Sequence, residues 1–301
     1  MGMNTYDERW FEARAVSSIR SLGEGSWDFS DSLLLYLPQA VHEYESMQDT
    51  GTPYYELVTK PERDYLVSIA SQVAAKLPDD FEFIDLGPGT EHKEQFLFDE
   101  LKALGKKFTY VPVDISTHFL ELAERHALGQ GILTRAVQAP FEELAAMLGK
   151  PTMPRFVSLG LTFSNYTPKE VFTLLGSIAG PGGVIFVDAH MRDRVDMQKL
   201  QDVYNNDARG IAVQKFNLLD MDAAKDISDV VADEGIQVHC KIENPSLVLK
   251  EKGVKAGDTM LIFQSLRYTK EGFESEISNS FSKYELLDTN SPFIGALIWT
   301  K

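Results

Sequence analysis

Phe81-Glu-Phe-Ile-Asp-Leu-Gly-Pro-Gly-Thr90 is the stretch whose residue types and spacing point most directly to chemistry. An apolar run, 83 to 86, ends in Gly-Pro-Gly, and a helix-like segment follows from Glu91 to Leu104. That pattern predicts a buried parallel strand turning sharply into a helix. Gly87 and Gly89 remove the Cβ atoms that would keep a ligand off the backbone of the turn. Asp85, at the strand's carboxyl end, could hold a cationic or hydroxyl group of that ligand. A second carboxylate, Asp114, stands 27 residues past Gly87. In a nucleoside-binding α/β fold, an acidic residue at the end of the second strand accepts hydrogen bonds from both ribose hydroxyls. A helix N-cap in Asp114-Ile-Ser116 is the other reading of that residue. The dinucleotide fingerprint Gly-x-Gly-x-x-Gly fits poorly, because His92 stands where its third glycine belongs.

The elements that must position these residues follow from periodicity. Residues 4 to 48 read as helical, broken at Gly23-Glu-Gly-Ser26, and a further helix runs from about Pro61 to Lys76. From Phe81 strands and helices alternate. Strand one ends at Asp85, strand two is Phe108 to Asp114, and strand three is Ile132 to Gln138. Strand four is Phe156 to Gly160 and strand five Gly183 to Asp188. Five such units predict a doubly wound parallel sheet. Residues 192 to 234 then read as polar-rich helix. Three antiparallel strands follow, within Ile236–Cys240, Ser246–Lys250 and Thr259–Tyr268. After a helix from Lys270, Lys283–Leu287 and Ile294–Thr300 suit a closing antiparallel hairpin. The expected division is a catalytic domain at 50–190 and 270–301, with a second, α+β domain from 1–49 and 191–269.

Composition narrows the classes. At 301 residues, 44% hydrophobic and 25% charged, the chain is of ordinary globular type. A net charge of −16 argues against nucleic acid or an anionic membrane as partner, since both need a positive surface. Cys240, the single cysteine, excludes an internal disulfide and a cysteine-rich zinc site. The six histidines include no His-x-x-x-His pair, so no metal is expected. A polar, acidic N-terminus without an apolar run reads as no signal peptide, and no segment approaches a membrane span of ~20 apolar residues. The expected setting is cytoplasmic.

Asp85-Leu-Gly-Pro-Gly resembles motif I of Rossmann-like S-adenosylmethionine methyltransferases. Four more stretches extend the likeness: Tyr110–Ser116, Leu159-Gly-Leu-Thr-Phe-Ser-Asn-Tyr-Thr-Pro168, Val203-Tyr-Asn-Asn-Asp-Ala-Arg-Gly-Ile211 and Lys215-Phe-Asn-Leu-Leu219. Together they resemble the histidine-specific methyltransferase family of ergothioneine biosynthesis, from about residue 50 to the C-terminus. The resemblance implies a Rossmann-like class I methyltransferase core with a substrate-capping domain, and S-adenosylmethionine as cofactor. It puts Gly87, Gly89, Lys93 and Asp114 on cofactor positions. Phe141 would pack against the adenine. Gln138 stands near the place where many methyltransferases carry an acid for the adenine amino group. Asn165 falls on the asparagine that grips the substrate's amine, Tyr204 on a tyrosine that contacts its carboxylate, and Ser265 on a serine of the substrate segment.

Two departures bear on the acceptor. The family's imidazole-binding glutamate is Phe263 here, and losing such a contact shifts specificity by orders of magnitude. The family's Pro-Glu-Tyr-Tyr-x-Thr-Arg segment corresponds only loosely to Tyr54–Glu62, leaving Tyr54, Tyr55 and Tyr65 as candidates for its substrate-facing tyrosine; Tyr55 is the expected one. The sequence thus reads as an N-methyltransferase of an amino acid or small amine, apolar or aromatic rather than histidine. Catalysis would rest on Asn165 and Tyr204. The alternatives are another acceptor (oxygen, carbon or a peptide end), a cofactor-binding protein without turnover and, weakest, a nicotinamide oxidoreductase. Asp188 and His190, after strand five, read either as cleft residues or as packing.

Overall fold

The structure is a computed structural model and describes residues 6–37, 40–90, 93, 95–233 and 235–301. Glu91 and His92, the expected helix start and the missing third glycine, lie outside the described residues, as do residues 4, 5, 38 and 39 of the expected N-terminal helices. Helix α1 (Glu8–Ser18) is capped by Asp7, whose carboxylate accepts the Trp10 N–H at 3.0 Å. Where the sequence reads as two helices broken at Gly23–Ser26, the structure has a hairpin of β1 (Arg20–Gly23) and β2 (Ser26–Asp28). The Gly-Glu-Gly-Ser break is its turn, not a gap between helices. A short 3₁₀ turn at Ser32–Leu35 and α2 (Val41–Met47) complete this region.

Helix α3 (Lys60–Lys76) has Pro61 in its first turn and buries Glu62, Tyr65, Ile69 and Val73, one face at helical spacing. The alternating segment follows as β3 (Asp80–Leu86), α4 (Gln95–Ala103), β4 (Lys107–Asp114), α5 (Thr117–Gly129), β5 (Val137–Gln138), α6 (Phe141–Leu148), β6 (Arg155–Leu159), α7 (Pro168–Ala179) and β7 (Val184–His190). The third strand is shorter than expected. Only Val137 and Gln138 form the ladder with β4, and Thr134 adds a single bridge to Tyr110. This strand lies at the sheet edge with one neighbour to hold it.

Beyond Val195 come α8 (Met197–Val203), a π turn at Tyr204–Ala208, α9 (Arg209–Gln214), α10 (Ala223–Asp226), β8 (Ile227–Ala232), β9 (Gln237–Ile242), α11 (Leu247–Lys252) and β10 (Thr259–Gln264). Two expectations are corrected here. Ile227–Ala232 is a strand rather than helix, paired antiparallel with β9. The stretch at Ser246–Lys250 is helical: Ser246 accepts the Leu249 N–H as N-cap, and Gly253, at φ 97°, closes the helix in a conformation that favours glycine. The chain ends with α12 (Lys270–Ser280), β11 (Tyr284–Asp288) and β12 (Phe293–Trp299).

The chain forms two compact units, Met1–Tyr55 with Asp196–Leu266, and Glu56–Val195 with Arg267–Lys301. The first contains a five-stranded sheet ordered β1-β2-β10-β9-β8, in which β10 pairs parallel with β2 and antiparallel with β9. The second contains a seven-stranded sheet ordered β11-β12-β7-β6-β3-β4-β5. Strands β3 to β7 are mutually parallel, and the β11–β12 hairpin adds antiparallel to β7. This is the expected Rossmann-like methyltransferase sheet with its closing hairpin. Its core packs Val111, Val113, Val157, Leu159, Ile185 and Val187 of the sheet against Leu144, Val171, Leu175 and Ile178 of the helices. The strand order runs outward from β3 through β4 to β5, then restarts at β6, so the sheet's switch point lies between β3 and β6. Among the described residues no helix is long and apolar enough to cross a membrane.

Candidate functional site

In open α/β sheets ligands gather at the carboxyl ends of the strands beside the switch point. The seven-stranded unit places the glycine turn there, directly after β3. Gly87 and Gly89 adopt φ of 69° and 65°, a region L side chains rarely enter. A Cβ on Gly87 would lie 3.5 Å from Thr162 Oγ1 and 3.7 Å from Phe141 Cζ. At Gly89 an added Cβ would meet nothing within 4 Å among the described residues. The turn therefore offers bare backbone to a ligand, with Phe141, the first residue of α6, against one side.

Asp114 ends β4, the neighbouring strand, and is 6% exposed. Its Oδ1 accepts the Ser116 N–H at 2.8 Å, while Ser116 itself caps α5. Capping thus falls to Ser116 and leaves Asp114 for another purpose. Burial pushes the Asp114 carboxyl up to about 7, with only backbone N–H groups of Ser116 and Ile115 opposing it. A pair of sugar hydroxyls fits such a carboxylate, supplying donors without bringing a second charge. Gln138 donates its Nε2 to Ile115 O at 2.9 Å, which ties the end of β5 to β4 and orients the amide. Asp85 Oδ2 accepts the Tyr110 hydroxyl at 2.8 Å. These residues fit a nucleoside-bearing cofactor.

Lys93 is expected among the residues that hold that cofactor, and the structure adds a partner for it. Its Nζ lies 2.6 Å from Oε2 of Glu62, a carboxylate only 1% exposed. Sequence reasoning passed over Glu62, although a glutamate on the apolar 62-65-69-73 face of α3 was the available signal. Asn165 closes the 3₁₀ turn Leu161–Asn165 that follows β6, on the other side of the switch point. His190 is buried and stacks on Phe293 at 4.4 Å between ring centres; burial holds its imidazole well below the usual range, so it packs as a neutral ring.

The five-stranded unit contains Tyr54, Tyr55, Tyr204, Phe263 and Ser265 of the residues expected at the substrate, while Asn165 belongs to the seven-stranded unit. Tyr204, at the head of the π turn, is buried and donates its hydroxyl to Ser265 Oγ at 3.2 Å. Its ring stacks on Phe263 at 5.8 Å between centres and 20° between planes. Tyr54 meets the same ring edge-on at 6.1 Å. Tyr54, not the expected Tyr55, is therefore the tyrosine packed on Tyr204. Tyr55 instead opens a second π turn, with its N–H on Thr52 Oγ1. Tyr65 belongs to the other unit's core, donating to Leu287 O and accepting from Gly295 N–H. Phe263 lies in β10 and Ser265 directly follows that strand, and both meet Tyr204.

A family model described as "Histidine-specific methyltransferase, SAM-dependent" matches residues 32–229. Histidine N-alpha-methyltransferase of Mycobacterium tuberculosis (strain CDC 1551 / Oshkosh) is 28% identical over 175 residues, which cover 56% of this chain and 53% of that protein. The match thus spans about half the length of that curated relative. Solved structures include an S-adenosylmethionine-dependent methyltransferase from Clostridium acetobutylicum ATCC 824, at 15% identity and TM-score 0.43 over 86% of this chain and 98% of that one. An O-methyltransferase family protein from Burkholderia thailandensis shows 9% identity and TM-score 0.48 over 90% and 62%. At these TM-scores the likenesses add nothing to the fold, which rests on the strand order above.

Proposed function

The chain belongs to the histidine-specific, S-adenosylmethionine-dependent methyltransferase family, and we propose that it methylates the amine of an amino acid or of a small molecule derived from one. The observation that carries the cofactor assignment is the bare Gly87–Gly89 turn beside the buried carboxylate of Asp114. Gly87 and Gly89 would take the cofactor against their backbone, Asp114 its ribose hydroxyls, and Phe141 and Gln138 its adenine. Bound there, the cofactor supplies an electrophilic methyl group on a sulfonium, ready for in-line attack by a neutral amine. The protein's part is to strip the acceptor of water and hold its lone pair in line, which accounts for much of the rate in such transfers. The family's motifs assign the acceptor's amine to Asn165 and its carboxylate to Tyr204. The Tyr204–Ser265 hydrogen bond fixes where that phenol points.

The acceptor's side chain is read from Phe263. A phenyl ring 8% exposed and stacked on Tyr204 offers apolar contact and no hydrogen-bond acceptor. An aromatic or apolar amino acid, or its amine, suits that surface better than an imidazole. The test is incubation with S-adenosylmethionine and a panel of histidine, phenylalanine, tyrosine, tryptophan and their decarboxylated amines, with products identified by mass spectrometry. Methyl groups should appear on the nitrogen of an aromatic acceptor, and Phe263→Glu should move the preference toward histidine by about tenfold or more. Turnover of histidine alone would overturn the acceptor assignment, and methylation at oxygen or carbon would overturn the reaction class.

A further inference from the structure

Three ionisable side chains of the seven-stranded unit share the carboxyl ends of its central strands, and the assignments above use only one of them. Glu62 reaches over from α3. Its Oε2 meets Lys93 Nζ at 2.6 Å, and its Oε1 accepts the Leu161 N–H at 3.4 Å. A Cβ on Gly160 would come within 3.1 Å of the same Oε1, so the carboxylate lies against the chain as it leaves β6. Asp188 comes from β7, the next strand, and is fully buried. Neither of its carboxyl oxygens has a hydrogen-bond partner among the described residues. Glu62 and Lys93 are the charges that act on it.

Among the described residues two buried carboxyl groups, Glu62 and Asp188, stand with one ammonium, Lys93. A buried carboxylate without a donor carries a desolvation cost, and such a group either keeps its proton or acquires a cation. Burial, with Glu62 adding to it, holds the Asp188 carboxyl well above its ordinary range. Lys93, only four residues beyond Gly89, ties the cluster to the glycine turn. A group bearing both an ammionium-type cation and a carboxylate matches a cluster that pairs two acids with one lysine. That is the α-amino-acid end of an S-adenosyl compound reaching past the turn.

We propose that Glu62 and Asp188 form the acceptor pair for the α-ammonium of the cofactor's amino-acid end, beside Lys93 for its carboxylate. The proposal rests on the cofactor assignment made above. It also gives motif I's Asp85 a different task, since that carboxylate takes the Tyr110 hydroxyl.

The test is calorimetric titration with S-adenosylhomocysteine and with the same thioether lacking only its α-amino group. The unmodified protein should bind the deaminated compound about ten- to a hundredfold more weakly, the scale of a hydrogen-bonded charge. In Glu62→Gln and in Asp188→Asn that gap should shrink, because the variants lose affinity for the parent and not for the analogue. Equal binding of the two compounds by the unmodified protein would overturn the proposal without calling on any variant. An unchanged gap in both variants would overturn it too. Binding of neither compound would instead remove the cofactor assignment itself.

Discussion

At the scale of single residues, Asp114 carries the clearest energetic signature. Its carboxyl titrates near 7 in the folded protein against an ordinary value of 3.8. The folded state therefore binds more protons than the unfolded chain between those two values. Its stabilising share is fully present below 3.8 and is lost as pH rises through about 7. Asp114→Asn removes that dependence. In urea unfolding without ligand, the unmodified protein should lose up to about 4 kcal/mol relative to the variant across this window. Parallel pH curves for the two proteins would contradict it. The places of Asp114, Gly87 and Gly89, at a strand end and in the turn after β3, were legible because they follow from backbone geometry and strand order, which composition and spacing reveal. Glu62 was passed over, since a glutamate in a helix reads as solvated unless its place on the apolar 62-65-69-73 face is weighed. That Tyr54 rather than Tyr55 packs on Tyr204 was equally hidden: neighbouring tyrosines differ only in the direction each side chain takes.

At the scale of elements, β10 presents Phe263 and leads directly into Ser265, and Lys215 holds it in place. Lys215 is fully buried, donates to Phe29 O at 2.5 Å and to Ile262 O, and lies 4.7 Å from the centre of the Phe29 ring. It thereby joins the end of β2 to β10, which already pair in parallel. Burial pulls its ammonium down to about 7. Lys215→Ala leaves two buried carbonyls without a donor and should destabilise the protein by about 2–4 kcal/mol in denaturant unfolding. Weaker binding of the acceptor should accompany that loss while S-adenosylhomocysteine still binds. A variant as stable as the parent would show that Lys215 pins nothing. The long parallel strands were readable from their apolar runs. The β1–β2 hairpin and α11 were not, because a four-residue strand has little periodicity and the capping signals at Ser246 and Gly253 were outweighed by the apolar Leu-Val-Leu.

At the scale of the whole molecule, the seven-stranded unit is interrupted in sequence and closed in space. Its chain leaves after β7 and returns at Arg267. Met191 bridges Tyr268 in parallel, and the Arg192 N–H donates to Tyr268 O at 2.9 Å. Arg194 adds a two-armed ion pair to Asp288 at 2.8 and 3.0 Å, holding that carboxyl well below the usual carboxylate range, with Lys270 2.9 Å away. The long excursion between Val195 and Arg267 therefore departs from and rejoins one braced point. It carries the five-stranded sheet while the seven-stranded sheet keeps its order. The central claim is that the seven-stranded unit binds an S-adenosyl compound. Thermal unfolding with and without S-adenosylhomocysteine tests it most directly. A ligand that binds only the folded state at a hundredfold excess over its dissociation constant adds ~2.7 kcal/mol, so a concentration-dependent rise in melting temperature is expected. An unchanged melting temperature at every concentration would contradict the account.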